Sequence, residues 1–166
     1  MSQRIVITGM GWITPLGHDL ATVWNQLTSA GSGMDRIGHF DATTFPTTFA
    51  AEVRDYDYRQ YVQHPELHEH VGLNTSYALG AAAQAWKQAG LDGFDGLNPE
   101  RLGIYLGAGE GTLDFDNYIA ANILGWNAER DRVDGKAWSD AAQPRFSLMR
   151  EVEQEPNMTP PRPASR

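Results

Sequence analysis

Arg4-Ile5-Val6-Ile7-Thr8-Gly9-Met10-Gly11-Trp12-Ile13-Thr14-Pro15-Leu16-Gly17 is the stretch whose reading decides the fold. The apolar run Ile5 to Ile7 has the composition of a strand buried on both faces. Glycines at positions 9 and 11 cut it off, and the chain then turns through Thr14-Pro15-Leu16-Gly17 toward a helix start. Strand, glycine turn and helix in that order predict an α/β fold with an early central strand.

Working outward, His18-Asp19 precedes Leu20, Val23, Trp24 and Leu27, which share one helical face, with Asp19 as N-cap and Gly31 and Gly33 as the stop. This predicts a helix over 19–30. Residues 31–47, with four scattered Gly or Pro positions, read as loop, followed by a short strand at Phe49-Ala50-Ala51-Glu52-Val53. Tyr56, Tyr58 and Tyr61 alternate with polar residues, and the polar run His64-Pro65-Glu66-Leu67-His68-Glu69-His70 that follows reads as surface. From Asn74 to Ala89 the residues Tyr77, Ala78, Ala81, Ala82, Ala85, Trp86 and Ala89 form a helical stripe, capped by Asn74 or Thr75 and stopped by Gly90. So small an apolar face lets another backbone approach closely.

Arg101 to Gly107 reads as a second strand, breaking into Gly107-Ala108-Gly109-Glu110-Gly111, and Phe115, Tyr118, Ile119, Ile123 and Leu124 predict a helix over 113–125. Residues 127–143 show no clear periodicity, and Phe146, Leu148, Met149 and Val152 form a last weak apolar stripe. The end, Thr159-Pro160-Pro161-Arg162-Pro163-Ala164-Ser165-Arg166, cannot continue a helix or add to a core, so it reads as a disordered tail.

The 166 residues are enough for one domain with a core and too few for two comfortable ones. Net charge is −8, from 13 Lys+Arg against 21 Asp+Glu, which disfavours nucleic acid and anionic membrane surfaces as partners. No apolar window is long enough to span a bilayer, and Met1-Ser2-Gln3-Arg4 runs straight into the first strand, so the expected location is cytoplasmic. Cysteine is absent, which removes disulfides, thiolate metal sites and a cysteine nucleophile together.

A dinucleotide-binding fingerprint needs a third small residue where this chain has Thr14, and a helix opening where it has Pro15. Gly9 and Gly11 therefore read as permitting a tight turn and close backbone packing. The second glycine turn lacks Gly-Lys-Ser/Thr, and Glu110 places a carboxylate where a phosphate would need N–H donors. His64 and His68 share one face if helical, making His64, His68 and His70 the candidate metal-binding module, but exposed loop histidines explain the run better and no metal site is assigned. No Gly-x-Ser-x-Gly elbow occurs, and the carboxylates Asp114 and Asp116, like Glu153 and Glu155, are spaced to diverge on a helix and read as solvated surface.

Ile7-Thr8-Gly9-Met10-Gly11 with Thr14-Pro15-Leu16-Gly17 resembles the N-terminal motif of the β-ketoacyl-acyl-carrier-protein synthases. So do Gly31-Ser32-Gly33-Met34, Phe40-Asp41, Phe45-Pro46 and Ala51-Glu52-Val53 for the following segments. Tyr77 to Ala82 with Ala89-Gly90-Leu91 is similar to the family's alanine-rich helix, and Arg101 to Gly111 to its strand and glycine turn. Pro156-Asn157-Met158 resembles the segment leading toward the nucleophile, so the likeness runs collinearly over residues 4–158.

The resemblance implies an α/β, thiolase-like layered fold, present here as an incomplete N-terminal half-domain over 1–158, with 159–166 as the tail. It implies acyl-carrier protein and acyl thioesters as partners, no cofactor, and either a homodimer or a separate second half. The family loads an acyl chain onto a cysteine at a helix N-terminus, and two histidines assist decarboxylative condensation. None of these three residues maps onto the chain; His18, His39, His64, His68 and His70 match neither histidine. The one functional position that maps is Glu110, which in the family lines the acyl pocket and is usually apolar. A carboxylate there implies an altered or absent acyl substrate. The chain is expected to be a truncated, inactive fragment leaving apolar surface uncovered. The alternative is a non-catalytic subunit docking on a complete synthase or carrier protein.

Overall fold

The computed structural model describes residues 4–69, 71–107, 109 and 114–153. They divide into two compact units, one within Met1–Leu67 and Ser76–Gly103, the other within His68–Thr75 and Ile104–Arg166.

The first unit opens on the glycine turn, followed by a tight bridge in which Thr14 and Gly17 exchange backbone hydrogen bonds of 3.0 and 3.1 Å. Helix α1 spans Leu20–Thr28. Asp19 caps it as expected, its extended backbone letting the carboxylate accept the Thr22 N–H at 2.9 Å. That bond holds the Asp19 carboxyl below its ordinary range. The helix stop differs in its glycine placement. The left-handed residue is Ala30 (φ 55°), and Gly31 follows it to donate to the Gln26 carbonyl at 2.7 Å. A Cβ at Gly31 would lie 3.0 Å from that same oxygen, so glycine serves close approach there rather than handedness.

Strands β1 (Met34–Arg36) and β2 (Phe49–Ala51) pair antiparallel, Met34 opposite Ala51 and Arg36 opposite Phe49. β2 was expected; β1 was read as loop. Arg54 clamps the hairpin, donating to Asp35 Oδ2 at 2.5 Å, to Glu52 Oε2 at 3.2 Å and to the Arg36 carbonyl. Short 3-10 turns at Tyr58–Gln60 and Pro65–His68 lead to helix α2, Leu73–Gln88. Because α2 starts at Leu73, Asn74 and Thr75 lie inside its first turn instead of capping it. Gly90 (φ 68°) ends it as expected, with Leu91 N–H reaching the Trp86 carbonyl at 3.3 Å and Gly90 N–H the Lys87 carbonyl at 3.1 Å.

The glycine turn lies on α2. A Cβ at Gly9 would overlap the Ala85 carbonyl oxygen and sit 2.9 Å from the Ala89 nitrogen; one at Gly11 would overlap the Ala81 carbonyl oxygen. Main chain therefore packs on main chain, as the alanine stripe implied. The contact is pinned at both ends: Met10 N–H donates to Gln88 Oε1 at 2.6 Å and Gln84 Nε2 to the His18 carbonyl at 2.7 Å. The covered face is rotated from the expected stripe. Ala82 and Trp86 face solvent, while Leu79 and Gly80 are buried.

The expected strands at Ile5–Ile7 and Arg101–Gly107 are corrected. Arg101 ends a 3-10 turn (Pro99–Arg101), and neither segment forms a ladder among the described residues. Ile5 is 98% exposed and Tyr105 99% exposed. A central strand is stable only when neighbouring strands and covering layers close over it, and among the described residues nothing does so here.

The second unit is built on helix α3, Phe115–Gly125, close to the expected 113–125. Its small face meets helix α4, Gly135–Ala142, which the sequence did not show. Ala121 is 0% exposed, and a Cβ at Gly125 would come within 2.9 Å of the Trp138 Cα. A hairpin of β3 (Trp126–Asn127) and β4 (Arg132–Val133) joins the helices, and the Asp134 N–H returns to the Gly125 carbonyl at 2.8 Å. Asp134 caps α4 through Lys136 and Ala137 N–H, both at 3.0 Å. The last element, α5, is Leu148–Glu153. Among the described residues the buried apolar side chains are Val23, Ala42 and Leu79 in the first unit and Ala121 and Ala142 in the second, while many large apolar side chains stay exposed.

Candidate functional site

The acyl-pocket candidate Glu110 lies outside the described residues, as do His70, Pro156-Asn157-Met158 and the tail 159–166. The neighbouring Gly107 and Gly109 are exposed, and among the described residues a Cβ at either would meet nothing within 4 Å. These glycines thus differ from Gly9 and Gly11, whose missing Cβ atoms make room for α2.

The first described residue beyond this turn is Asp114. The sequence reading of it as solvated surface is corrected: its side chain is 6% exposed and faces Arg150 of α5 at 3.1 Å. Although Asp114 holds the N-cap position of α3, it makes no capping hydrogen bond. Its Oδ2 instead accepts from Asn117 Nδ2 at 2.9 Å. Burial of a carboxylate is tolerable because the guanidinium and the amide both answer it. No local pattern signals this pair, since Asp114 and Arg150 come from different helices.

Of the candidate metal-binding histidines, His64 and His68 are among the described residues and His70 is not. His64 Nδ1 lies 3.1 Å from Glu66 Oε1, and His39 Nε2 lies 3.9 Å from Glu52 Oε1. Among the described residues no group of three or more His, Cys, Asp or Glu could hold a metal ion.

In the first unit the polar centre is Tyr56, a residue not singled out for chemistry in the sequence. Its hydroxyl donates to the Ser76 carbonyl at 2.5 Å, and it crowds Gly80, where a Cβ would overlap the phenol oxygen. His18 meets its ring edge-on at 5.3 Å, Tyr77 at 5.5 Å, and Tyr61 stacks at 5.7 Å. Burial pushes the Tyr56 hydroxyl up to about 12, and the Tyr61 phenol acts in the same direction. The folded state therefore keeps this proton to higher pH than the unfolded chain, whose tyrosines titrate near about 10. The stabilisation is whole below that pH and is lost as pH rises toward 12. Burial raises the Tyr77 phenol as well, so a phenolate absorbance titration should show a late phase whose last step Tyr56→Phe removes; an unchanged last step would overturn the assignment. The Tyr56 hydroxyl is engaged with backbone, and the Asp114 carboxylate with the Arg150 and Asn117 side chains.

Residues 2–143 match the family model of the β-ketoacyl synthase N-terminal domain. The 3-oxoacyl-[acyl-carrier-protein] synthase 2 of Coxiella burnetii is 37% identical over 120 residues, covering 71% of this chain and 28% of that protein. The Vibrio harveyi synthase of the same name is 37% identical over 112 residues, covering 68% and 26% respectively. Among solved structures, the ishigamide ketosynthase/chain length factor is similar with a TM-score of 0.49 and 24% identity, covering 82% of this chain and 35% of that one. The chain thus spans little more than a quarter of the length of these synthases. No helix among the described residues is long and apolar enough to cross a membrane. The family match gives the fold class read from the sequence, α/β and thiolase-like, with this chain corresponding to its N-terminal portion. On that match over most of its residues, the chain belongs to the β-ketoacyl synthase family, through the N-terminal domain.

Proposed function

We propose that this chain is the N-terminal half-domain, over 1–158, of a condensing enzyme for acyl transfer and decarboxylative Claisen condensation in fatty-acid or polyketide synthesis. In this reading it is a truncated chain that is inactive alone. The observation that carries the proposal is a family match over residues 2–143 in a chain of 166 residues with no cysteine. The chemistry needs a thiolate to hold the acyl chain, and no other residue of this chain offers that combination of nucleophilicity and leaving-group ability. Acyl-carrier protein is the proposed partner, two copies of the chain the proposed assembly, and Glu110 the residue lining the acyl pocket.

The purified chain, given malonyl- and acyl-carrier protein, is expected to form no ketoacyl product. Product formation above a protein-free control would sink the claim of inactivity. A second reading, a non-catalytic subunit docking on a complete synthase, is favoured by the exposed apolar segments at 5–7 and 102–106, which pair with no strand among the described residues. It calls for stoichiometric co-purification with a complete synthase; an isolated half-domain calls for none.

A further inference from the structure

Helix α5 is described over Leu148–Glu153, a stretch too short to sustain itself in water without contacts to the rest of its unit. Its Leu148 is 82% exposed, so that residue contributes little to holding it down. Among the described side chains, the polar tie between α5 and the rest of its unit is Arg150 Nη1 to Asp114 Oδ2, 3.1 Å apart. The two ends of that tie are unequal. Arg150 is about half exposed (48%) and can return to water, whereas the Asp114 carboxylate is almost fully covered. Releasing α5 leaves a buried carboxylate facing, among the described residues, the Asn117 amide alone, a state that is costly until water enters. Docking of α5, burial of Asp114 and order at the first turn of α3 are thus linked events.

We propose that the Asp114–Arg150 pair is a latch: it makes the ordering of α5 conditional on the first turn of α3, so the two segments are held or released together. The position of Asp114 fits this role better than capping. It stands where an N-cap residue would satisfy the free N–H groups of α3, yet its carboxylate is spent on Asn117 and on α5. The latch concerns these residues alone and does not depend on any condensing activity.

Hydrogen exchange of the whole chain tests it. Arg150→Gln removes the charge from the half-exposed end and leaves the α3–α4 contact intact. It should speed exchange of the α5 amides by about tenfold or more and raise exchange in the first turn of α3, with the amides around Ala121 unchanged. Asp114→Asn should do the same at α5. The reversal Asp114→Arg with Arg150→Asp should recover part of the protection that either single reversal loses. Unchanged α5 exchange in Arg150→Gln would overturn the latch. So would release of α5 without any response at the first turn of α3, because the two segments would then be independent. If Asp114→Arg unfolds the unit, Arg150→Gln with Arg150→Lys as the charge-keeping control still decides the matter.

Discussion

Gly11→Ala is expected to destabilise the first unit by about 3 kcal/mol, the upper part of the range for overpacking a close contact. The new methyl would fall on the Ala81 carbonyl oxygen and lie 2.7 Å from the Gln84 Cβ. The first obstacle is helix backbone, which cannot rotate aside as a side chain can. Either the turn lifts from α2, losing the Met10 to Gln88 bond, or the helix bends. Gly107→Ala is the control. Among the described residues nothing lies within 4 Å of its added methyl, so the change should be close to neutral, within about 0.5 kcal/mol. Urea titrations of the two variants, followed by tryptophan fluorescence, check the difference. If Gly11→Ala were tolerated as well as Gly107→Ala, the docking of the turn on α2 would be wrong.

Ala121→Leu should be nearly as damaging to the second unit, at about 2–3 kcal/mol. Ala121 is fully buried on α3, whose neighbouring small residue, Gly125, lies within methyl-contact distance of Trp138. Three extra carbons have no space unless α4 moves, which would also disturb the Asp134 to Gly125 bond. Near-UV circular dichroism should report the change through Trp138, whose ring lies 6.2 Å from that of Phe146. On the exposed face of the same helix, Ile123→Ala should cost under about 1 kcal/mol. Equal losses for Ala121→Leu and Ile123→Ala would mean that α3 does not pack on α4 through its small face.

What the sequence disclosed follows the range of the interactions involved. Helices α1, α2 and α3 were readable because capping and helical periodicity act within a few residues. The packing role of Gly9 and Gly11 was readable too, since a failed cofactor motif beside a strip of alanines elsewhere leaves close approach as the explanation. α4 escaped because its one-sided face, Ala137, Trp138, Ala141 and Ala142, is short and mostly alanine; its clearest sign was the Asp134 cap. The segments at 5–7 and 101–107 were misread for the opposite reason. Their composition suits a strand, but pairing depends on partner strands far away in sequence, which a local reading does not see. At the candidate site, Asp114 and Arg150 meet through tertiary packing, which their separate local patterns could not announce.

The docking of the glycine turn on α2 also has a topological side. The Met10 to Gln88 bond spans 78 residues and the Gln84 to His18 bond 66. Closing loops of that length costs about 4 kcal/mol of chain entropy in a simple polymer estimate, before any contact repays it. The N-terminal turn is therefore a long-range closure, whereas the helix caps are local ones. A methyl at Gly11 undermines the return on that whole closure; a lost cap costs only the freedom of a few neighbouring residues.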